Sequence, residues 1–164
     1  MTDLETPRLV LHAMTPAEAE RVAAGSPPAG ARWAPGYPSP GERGAAARHL
    51  ATCLATGDPS PFGSYEIRLR ADGVVIGGIG FHAAPDERRS VTIGYGLVES
   101  ARGQGYASEA LRALLRFARE QGVVRVLGDA DTGNIASQRV MTAAGMRLVD
   151  EDASLKYYLA EWTA

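Results

Sequence analysis

The sequence predicts one α/β domain, spanning residues 1–164, with a mixed and mostly antiparallel sheet of about six or seven strands and about four helices. Two observations carry this prediction. Short segments of alternating polarity between Tyr65 and Leu97 are separated by turn residues, as in an antiparallel meander. A long amphipathic helix and a buried strand follow, and a strand–helix–strand unit of this length places its two strands parallel.

The N-terminal part of the chain predicts a strand and two helices. Apolar residues alternate from Thr6 to His12, and Thr15 and Pro16 supply the cap and first position of a helix. Proline and glycine crowd the segment from Gly25 to Gly41, which is therefore expected to lack regular structure. A weak, alanine-rich helix is expected from Gly44 to Ala55.

The middle of the chain predicts three successive antiparallel strands. Tyr65 to Leu69 and Val74 to His82 flank an Asp-Gly turn, which is a strong hairpin signal. Alternation within the first strand indicates that Glu66 and Arg68 lie on a solvated face. A polar turn then leads into the strand from Val91 to Leu97.

A glycine-bearing turn joins that strand to the amphipathic helix. Gly103 and Gly105 allow backbone conformations closed to other residues and leave room for a ligand near the main chain. The first amides of a helix lack internal partners, and the helix dipole makes that end partly positive. With Arg102 at the rim, the turn predicts a site for a phosphate or pyrophosphate.

The C-terminal third predicts a buried strand from Val123 to Gly128, a helix, and two closing strands. Asn134 suits the N-cap of that helix, and Gly145 suits its C-terminal cap. The closing strands are expected from Met146 to Val149 and from Leu155 to Leu159.

Composition excludes several classes of function. A net charge of −2 gives no electrostatic basis for binding nucleic acid or an anionic membrane. No apolar run is long enough to span a bilayer, and the N-terminus lacks a signal-peptide core. The single cysteine, Cys53, excludes an internal disulfide and fits a cytoplasmic location. His49 and Cys53 alone do not make a metal site, so no metal is expected.

The glycine turn resembles a known phosphate loop. It has no Gly-Lys-Ser/Thr and lacks the third glycine of the dinucleotide fingerprint. The segment from Arg102 to Ala107 is similar instead to the Arg-Gly-x-Gly-Tyr-Ala loop of the GNAT superfamily of acetyl-CoA-dependent N-acetyltransferases. The resemblance implies the GNAT fold, with a splayed pair of parallel strands, and acetyl-CoA as cosubstrate. The implied cofactor-binding residues are Leu97, Val98, Arg102, Gly103, Gln104, Gly105, Tyr106, Ala107, Ser108, Asn134 and Ser137.

A second motif supports the resemblance. The segment from Asn134 to Val140 is similar to the Asn-x-x-Ser-x-Arg-Val stretch of the same superfamily. The resemblance implies that Asn134 hydrogen-bonds the pantetheine arm and that Ser137 lies near the sulfur; capping of the helix is the alternative for both. The segment from Thr6 to His12 resembles the opening of the branch that contains the ribosomal-protein Nα-acetyltransferases of the RimJ/RimL type.

The resemblance implies direct attack of an amine on the thioester. The amine must lose a proton, and the amide of Leu97 or Val98 is expected to stabilise the oxyanion while Ser137 protonates the thiolate. Relatives usually have a glutamate base where this chain has Thr92. The nearest substitutes are His82, Glu87 and Glu66, of which His82 has a suitable reference pKa; a structural role for His82 remains the alternative.

The leading hypothesis is an N-acetyltransferase for a primary amine, either a protein N-terminus or a small molecule. Trp33 and Tyr37 are expected to line the acceptor groove, with packing onto the domain as the alternative, and Tyr95 is a third candidate with core packing as its alternative. A CoA-binding module with little or no turnover is the second hypothesis, and a purely structural domain is the third. The sequence leaves open whether the protein is a monomer or a homodimer.

Overall fold

The computed structural model describes residues 3–163, which form one mixed sheet with helices on both faces. The helices are α1 (Pro16–Ala24), α2 (Pro40–Thr56), α3 (Tyr106–Glu120) and α4 (Ile135–Ala143). The strands are β1 (Leu4–Glu5), β2 (Leu9–Ala13), β3 (Ser64–Leu69), β4 (Val75–Phe81), β5 (Ser90–Leu97), β6 (Arg125–Asp131), β7 (Arg147–Glu151) and β8 (Leu155–Glu161). Among the described residues, no helix has the length and apolar character needed to cross a membrane.

The sheet order is β1-β2-β3-β4-β5-β6-β8-β7, and every neighbouring pair is antiparallel except β5 and β6. The predicted meander and parallel crossover are therefore confirmed. The sheet described here has eight strands instead of six or seven because β1 also pairs with β2. Two residues are too few to produce a recognisable alternation in sequence.

The two faces of the sheet carry different helices. On one face, Tyr95 of β5 reaches Ser137 of α4, and the buried stripe of α3 packs against the same apolar layer. On the other face, Glu42 of α2 lies against Gly78 and Gly96, which are partners in the β4–β5 register. Residues two apart on a strand share a face, so α2 covers the even-numbered residues of β4 and β5.

Two element boundaries differ from the sequence prediction. Helix α2 begins at Pro40 instead of Gly44, because Ser39 is the N-cap and Pro40 takes the first helical position. Strand β6 continues to Asp131 instead of ending at Gly128, so Asp129 belongs to the strand and not to the following turn. The first change matters for function because it moves Glu42 into the first turn of α2.

The expectation that Glu66 lies on a solvated strand face is wrong. Its residue surface is only 4% exposed, and its carboxylate Oε1 accepts a hydrogen bond from Arg68 Nη2 at 2.6 Å. Helix α1 contributes a second carboxylate to the same guanidinium, because Glu18 Oε2 lies 3.6 Å from Arg68 Nη2. The half-buried ion pairs of Arg68 with Glu66 and Glu18 explain why a carboxylate can be buried on this strand face.

Candidate active site

Strands β5 and β6 separate after a short stretch of parallel pairing. Ser90 to Thr92 pair with Arg125 to Leu127, and the register ends there although both strands continue. On the β4 side, the amide of His82 donates to Thr92 O at 2.8 Å and the amide of Val98 donates to Ile76 O at 2.8 Å. Hydrogen bonding alternates along an antiparallel pair, so the peptide groups of Tyr95 and Leu97 point toward β6 instead. They form an open strand edge at the gap.

Val98 does not belong to this open edge. Its amide is bonded to Ile76 O, its carbonyl accepts from the Ala101 amide at 3.0 Å, and its side chain is buried. The amide of Leu97 points into the gap, while its carbonyl accepts a hydrogen bond from Arg102 Nε at 3.2 Å. The expected use of the Val98 amide toward the pantetheine or the oxyanion does not fit this geometry, and the peptide group of Tyr95 lies on the open edge beside Leu97.

The glycine turn has the geometry of an anion site. Gly103 and Gly105 have φ values of 77° and 81°, in the left-handed region that favours glycine. Gly105 is the N-cap of α3, and no side chain caps this end. The amides of Tyr106, Ala107 and Ser108 occupy the first helical positions, where a helix supplies no acceptor. The side chain of Gln104 folds back onto Ser100 O at 3.3 Å and leaves the turn open.

Arg8 adds a cation to the turn that the sequence prediction did not include. Its Nη1 donates to Gln104 O at 2.9 Å and its Nε donates to Glu109 Oε1 at 2.7 Å. Its guanidinium also lies 4.3 Å from the centre of the Tyr106 ring. Arg8 is almost a hundred positions from the turn, and the contact arises only because β2 and α3 pack together.

The start of α4 places a hydroxyl pair at the other end of the gap. Asn134 Oδ1 accepts a hydrogen bond from the Ser137 amide at 3.1 Å, so Asn134 is the N-cap. The Tyr95 hydroxyl lies 2.7 Å from Ser137 Oγ and donates to Ser137 O at 3.0 Å. Burial raises the pKa of Tyr95, so its hydroxyl remains protonated at neutral pH.

A cavity of about 230 Å³ lies between α2 and the other face of the sheet. Its floor contains four glycines from β4 and β5, which are Gly78, Gly80, Gly94 and Gly96. Because glycine has no side chain, the cavity extends down to the backbone of β5 at these positions. The cavity therefore lies against one face of β5, and the edge of the same strand that points toward β6 borders the gap.

Glu42 carries the carboxylate that lies nearest to Gly96. A Cβ placed on Gly96 would lie 3.3 Å from Glu42 Oε2, and Ser39 Oγ donates a hydrogen bond to this oxygen. Glu42 Oε1 and the Tyr37 hydroxyl are buried without a hydrogen-bond partner among the described residues. Burial, together with the charges of Glu66 and Glu42, raises the pKa of Tyr37 and keeps it protonated. The sequence prediction missed Glu42 because it placed this residue outside α2.

His82 lies farther along the same floor. Its Nε2 would lie 3.0 Å from a Cβ placed on Gly94, and its ring lines the cavity. His82 is exposed as a whole residue, but partial burial of its ring, followed by the charge of Arg48, lowers the pKa of His82, so the imidazole is neutral at pH 7. The amide of His82 donates to the carbonyl of Thr92, the position at which the resemblance implies a glutamate base.

The three expected acceptor-site aromatics do not share one site. Tyr37 lines the cavity above the glycine floor, whereas the side chain of Tyr95 lies on the opposite face of the sheet, where its hydroxyl reaches Ser137. Trp33 lines a second cavity of about 420 Å³ together with Glu18, Glu66 and Arg68. The rings of Trp33 and Tyr37 meet edge to face, with centroids 5.3 Å apart. The structure thus brings Trp33 and Tyr37 into contact, and the sheet separates the side chain of Tyr95 from them.

The open strand edge runs between the glycine turn and a half-buried hydroxyl pair, an arrangement that suits an extended, phosphorylated acyl carrier. A family model described as the acetyltransferase (GNAT) domain matches residues 8–147. The chain therefore belongs to the GNAT acetyltransferase family, a family of acyltransferases whose cosubstrate is acetyl-CoA.

Individual relatives agree with this assignment. An uncharacterized N-acetyltransferase, YjdG, from Bacillus subtilis (strain 168) is 29% identical over 99 residues, which cover 60% of this chain and 59% of that protein. The match thus spans less than two thirds of the relative. A crystal structure of an acetyltransferase from Agrobacterium tumefaciens is 25% identical, with a TM-score of 0.67 and coverage of 99% of this chain and 95% of that one. The ribosomal-protein acetyltransferase RimL, solved with coenzyme A, has the same fold at 17% identity, with a TM-score of 0.66 and coverage of 98% of each chain.

Proposed function

We propose that this protein is a cytoplasmic, acetyl-CoA-dependent N-acetyltransferase in which residues 1–164 form a single catalytic domain. The acceptor is a primary amine, and the reaction is a direct attack with both substrates bound. The main support is the open edge of Tyr95 and Leu97, which connects the turn at Gly105 with Ser137 and adjoins a cavity that contains Glu42.

The residues of the turn fit the cosubstrate. The unpaired amides of Tyr106, Ala107 and Ser108 point toward the side from which a diphosphate would approach, and Arg8 and Arg102 supply positive charge. The open edge at Tyr95 and Leu97 is proposed to pair with the cosubstrate as a neighbouring strand would, with Tyr95 bonding the pantetheine arm. Asn134 is proposed to contribute its exposed side-chain NH₂ group while its Oδ1 caps α4.

Glu42 is proposed as the general base in place of the missing glutamate at Thr92. It lies over Gly96, whereas His82 lies over Gly94, two residues and roughly 7 Å farther along the strand. Glu42 is therefore nearer than His82 to Leu97, the last residue of the open edge. Its carboxylate accepts the proton of the attacking nitrogen, and His82 is retained as the second candidate for this role.

The remaining groups complete the transfer. Acetyl-CoA supplies an activated acetyl group as a thioester. The new N–C bond forms as the C–S bond breaks, and the Leu97 amide is proposed to stabilise the negative charge that develops on the carbonyl oxygen. Ser137 Oγ is proposed to protonate the departing sulfur, and Tyr95, 2.7 Å from Ser137 Oγ, orients that hydroxyl.

The relationship to the RimJ/RimL branch is proposed on the motif at Thr6 to His12 and on the fold of RimL, and it makes an N-terminal α-amine one of the acceptors to test. The alternative function is a CoA-binding module with little or no turnover, which Thr92 first suggested. Glu42 weakens that alternative because it places a carboxylate on the same sheet face as Thr92. The oligomeric state is proposed to be a monomer or a homodimer.

Thiol release separates these functions. Purified protein is incubated with acetyl-CoA and a panel of amines and N-terminal peptides, and free CoA is measured together with the mass of each acceptor. Amine-dependent release with a mass gain of one acetyl group supports the proposal. Tight acetyl-CoA binding without release on any acceptor supports the binding module, and the absence of binding removes both functions.

Substitution of Ser137 by alanine is expected to lower kcat about tenfold while acetyl-CoA affinity changes less than threefold. The effect is modest because a thiolate, whose conjugate acid has a pKa of about 8.5, leaves without much assistance. Steady-state kinetics and calorimetry measure the two quantities, and Ser26→Ala in an exposed loop is the control. An unchanged kcat would leave Ser137 with only a structural role at the start of α4.

A further inference from the structure

We propose that the acceptor is a small amine that also carries an anionic group, with the amine bound by Glu42 and Tyr37 and the anion bound by Arg48. This inference rests on the proposed acetyl transfer and specifies its substrate class. It is carried by the distribution of charge and unsatisfied polar atoms in the cavity over the glycine floor.

The size of the cavity favours a small acceptor. Its volume of about 230 Å³ lies below the roughly 300–1,000 Å³ that is usual for sites of drug-sized ligands. The cavity lies between α2 and the sheet, so an acceptor must fit between a helix and a strand surface. A molecule with a short carbon chain fits this space better than a folded protein N-terminus does.

One end of the cavity is suited to an amine. Glu42 Oε1 and the Tyr37 hydroxyl are both buried, and neither has a partner among the described residues. Both residues line the cavity, and unpaired buried polar atoms are costly, which favours a ligand or water that satisfies them. An ammonium can donate to a carboxylate oxygen and to a phenol oxygen, which are the two kinds of acceptor present here. The carboxylate adds the negative charge that favours a cationic group.

The other end of the cavity is suited to an anion. Arg48 lies six positions after Glu42 on α2, which separates their backbones by roughly 9 Å along the helix axis. Both side chains line the cavity, and Arg48 makes no ion pair with any residue from 3 to 163. A guanidinium at a cavity wall without a carboxylate partner is a favourable site for a carboxylate or a phosphate.

Residues near Arg48 supply neutral hydrogen-bonding groups to the same end of the cavity. His49, Thr52 and His82 line the same part of the cavity. The charge of Asp58 acts on His49 and that of Asp129 on His82, and Asp58 accepts a hydrogen bond from the Ser60 amide at 3.0 Å. The cavity therefore has a negative end at Glu42 and a positive end at Arg48.

The test compares amines that differ only in the anionic group. Rates of acetylation are measured for ω-amino acids with two to six carbons and for unsubstituted alkylamines of the same lengths. The wild-type protein is expected to have at least a tenfold higher kcat/KM for the best amino acid than for the matched alkylamine. Corresponding aminoalkylphosphonates then show whether a carboxylate or a phosphorus oxyanion is preferred.

The variant Arg48→Gln is expected to remove this preference. We expect kcat/KM to fall about ten- to a hundredfold for the amino acids and less than threefold for the alkylamines, as for the loss of a charge-assisted hydrogen bond. The control Arg43→Gln alters another arginine of α2, which does not line the cavity. It is expected to retain the wild-type preference.

Three outcomes would overturn the inference and can be told apart from failure of the proposed function. Equal rates for amino acids and alkylamines, or equal losses for both classes in Arg48→Gln, would show that no anion site exists at Arg48. Acetylation of peptide N-termini alone would exclude a small acceptor. If no amine is acetylated although acetyl-CoA binds, the proposed transferase function itself fails.

Discussion

Substitution of Gly105 by glutamate is expected to abolish detectable acetyl-CoA binding, with a loss of at least about a hundredfold in affinity, which corresponds to roughly 2.7 kcal/mol. Gly105 has a φ of 81° and is the N-cap of α3. A carboxylate at this position lies next to the first amides of the helix, where it competes for the dipole that would hold the diphosphate. Isothermal calorimetry with acetyl-CoA measures the effect.

Two features of the turn make the variant informative. A Cβ at Gly105 would lie 3.3 Å from Arg8 Nη2, so the new carboxylate can pair with the cation proposed to support the diphosphate. The left-handed φ costs any non-glycine residue about 1–3 kcal/mol. The control Gly105→Ala carries the same backbone strain without the charge, and it is expected to retain most of the affinity. Unchanged affinity in Gly105→Glu would exclude this turn as the anion site.

Local patterns were sufficient to predict most of the fold. The capping signal at Thr15 and Pro16 and the turn at Asp72 and Gly73 are contained within a few residues, and the structure has α1 and the β3–β4 hairpin at these places. The glycine turn was predicted for the same reason. Its geometry follows from two glycines and the helix that begins immediately after them.

The candidate acceptor site was harder to predict because it depends on contacts between distant elements. Glu42 was overlooked since the glycines of α2 weaken its helical pattern, and only the folded chain shows that this carboxylate lies over Gly96. Glu66 was expected at the surface because alternation along a strand does not reveal that α1 covers its polar face. The roles of Arg8 and Arg48 could not be predicted either, because a surface arginine and a site arginine cannot be distinguished in sequence.

The variant Glu42→Gln is expected to lower kcat by about a hundredfold or more while acetyl-CoA affinity remains within threefold of the wild type. Glutamine keeps the size of the side chain and can still accept from Ser39 Oγ, but it cannot take a proton from the nitrogen. General base catalysis by a positioned side chain typically contributes 10²–10⁴-fold. Steady-state rates at saturating acceptor and acetyl-CoA measure the loss.

Comparison with two other variants identifies the base. Glu87→Gln changes an exposed carboxylate of the β4–β5 turn and is expected to be as active as the wild type. His82→Gln is expected to lose less than tenfold, because the imidazole lies over Gly94 and not over Gly96. A large loss in His82→Gln together with a near-normal rate in Glu42→Gln would show that His82, and not Glu42, is the general base. Since Glu42 also faces the amine end of the cavity, the KM for the acceptor is expected to rise in Glu42→Gln but not in Glu87→Gln.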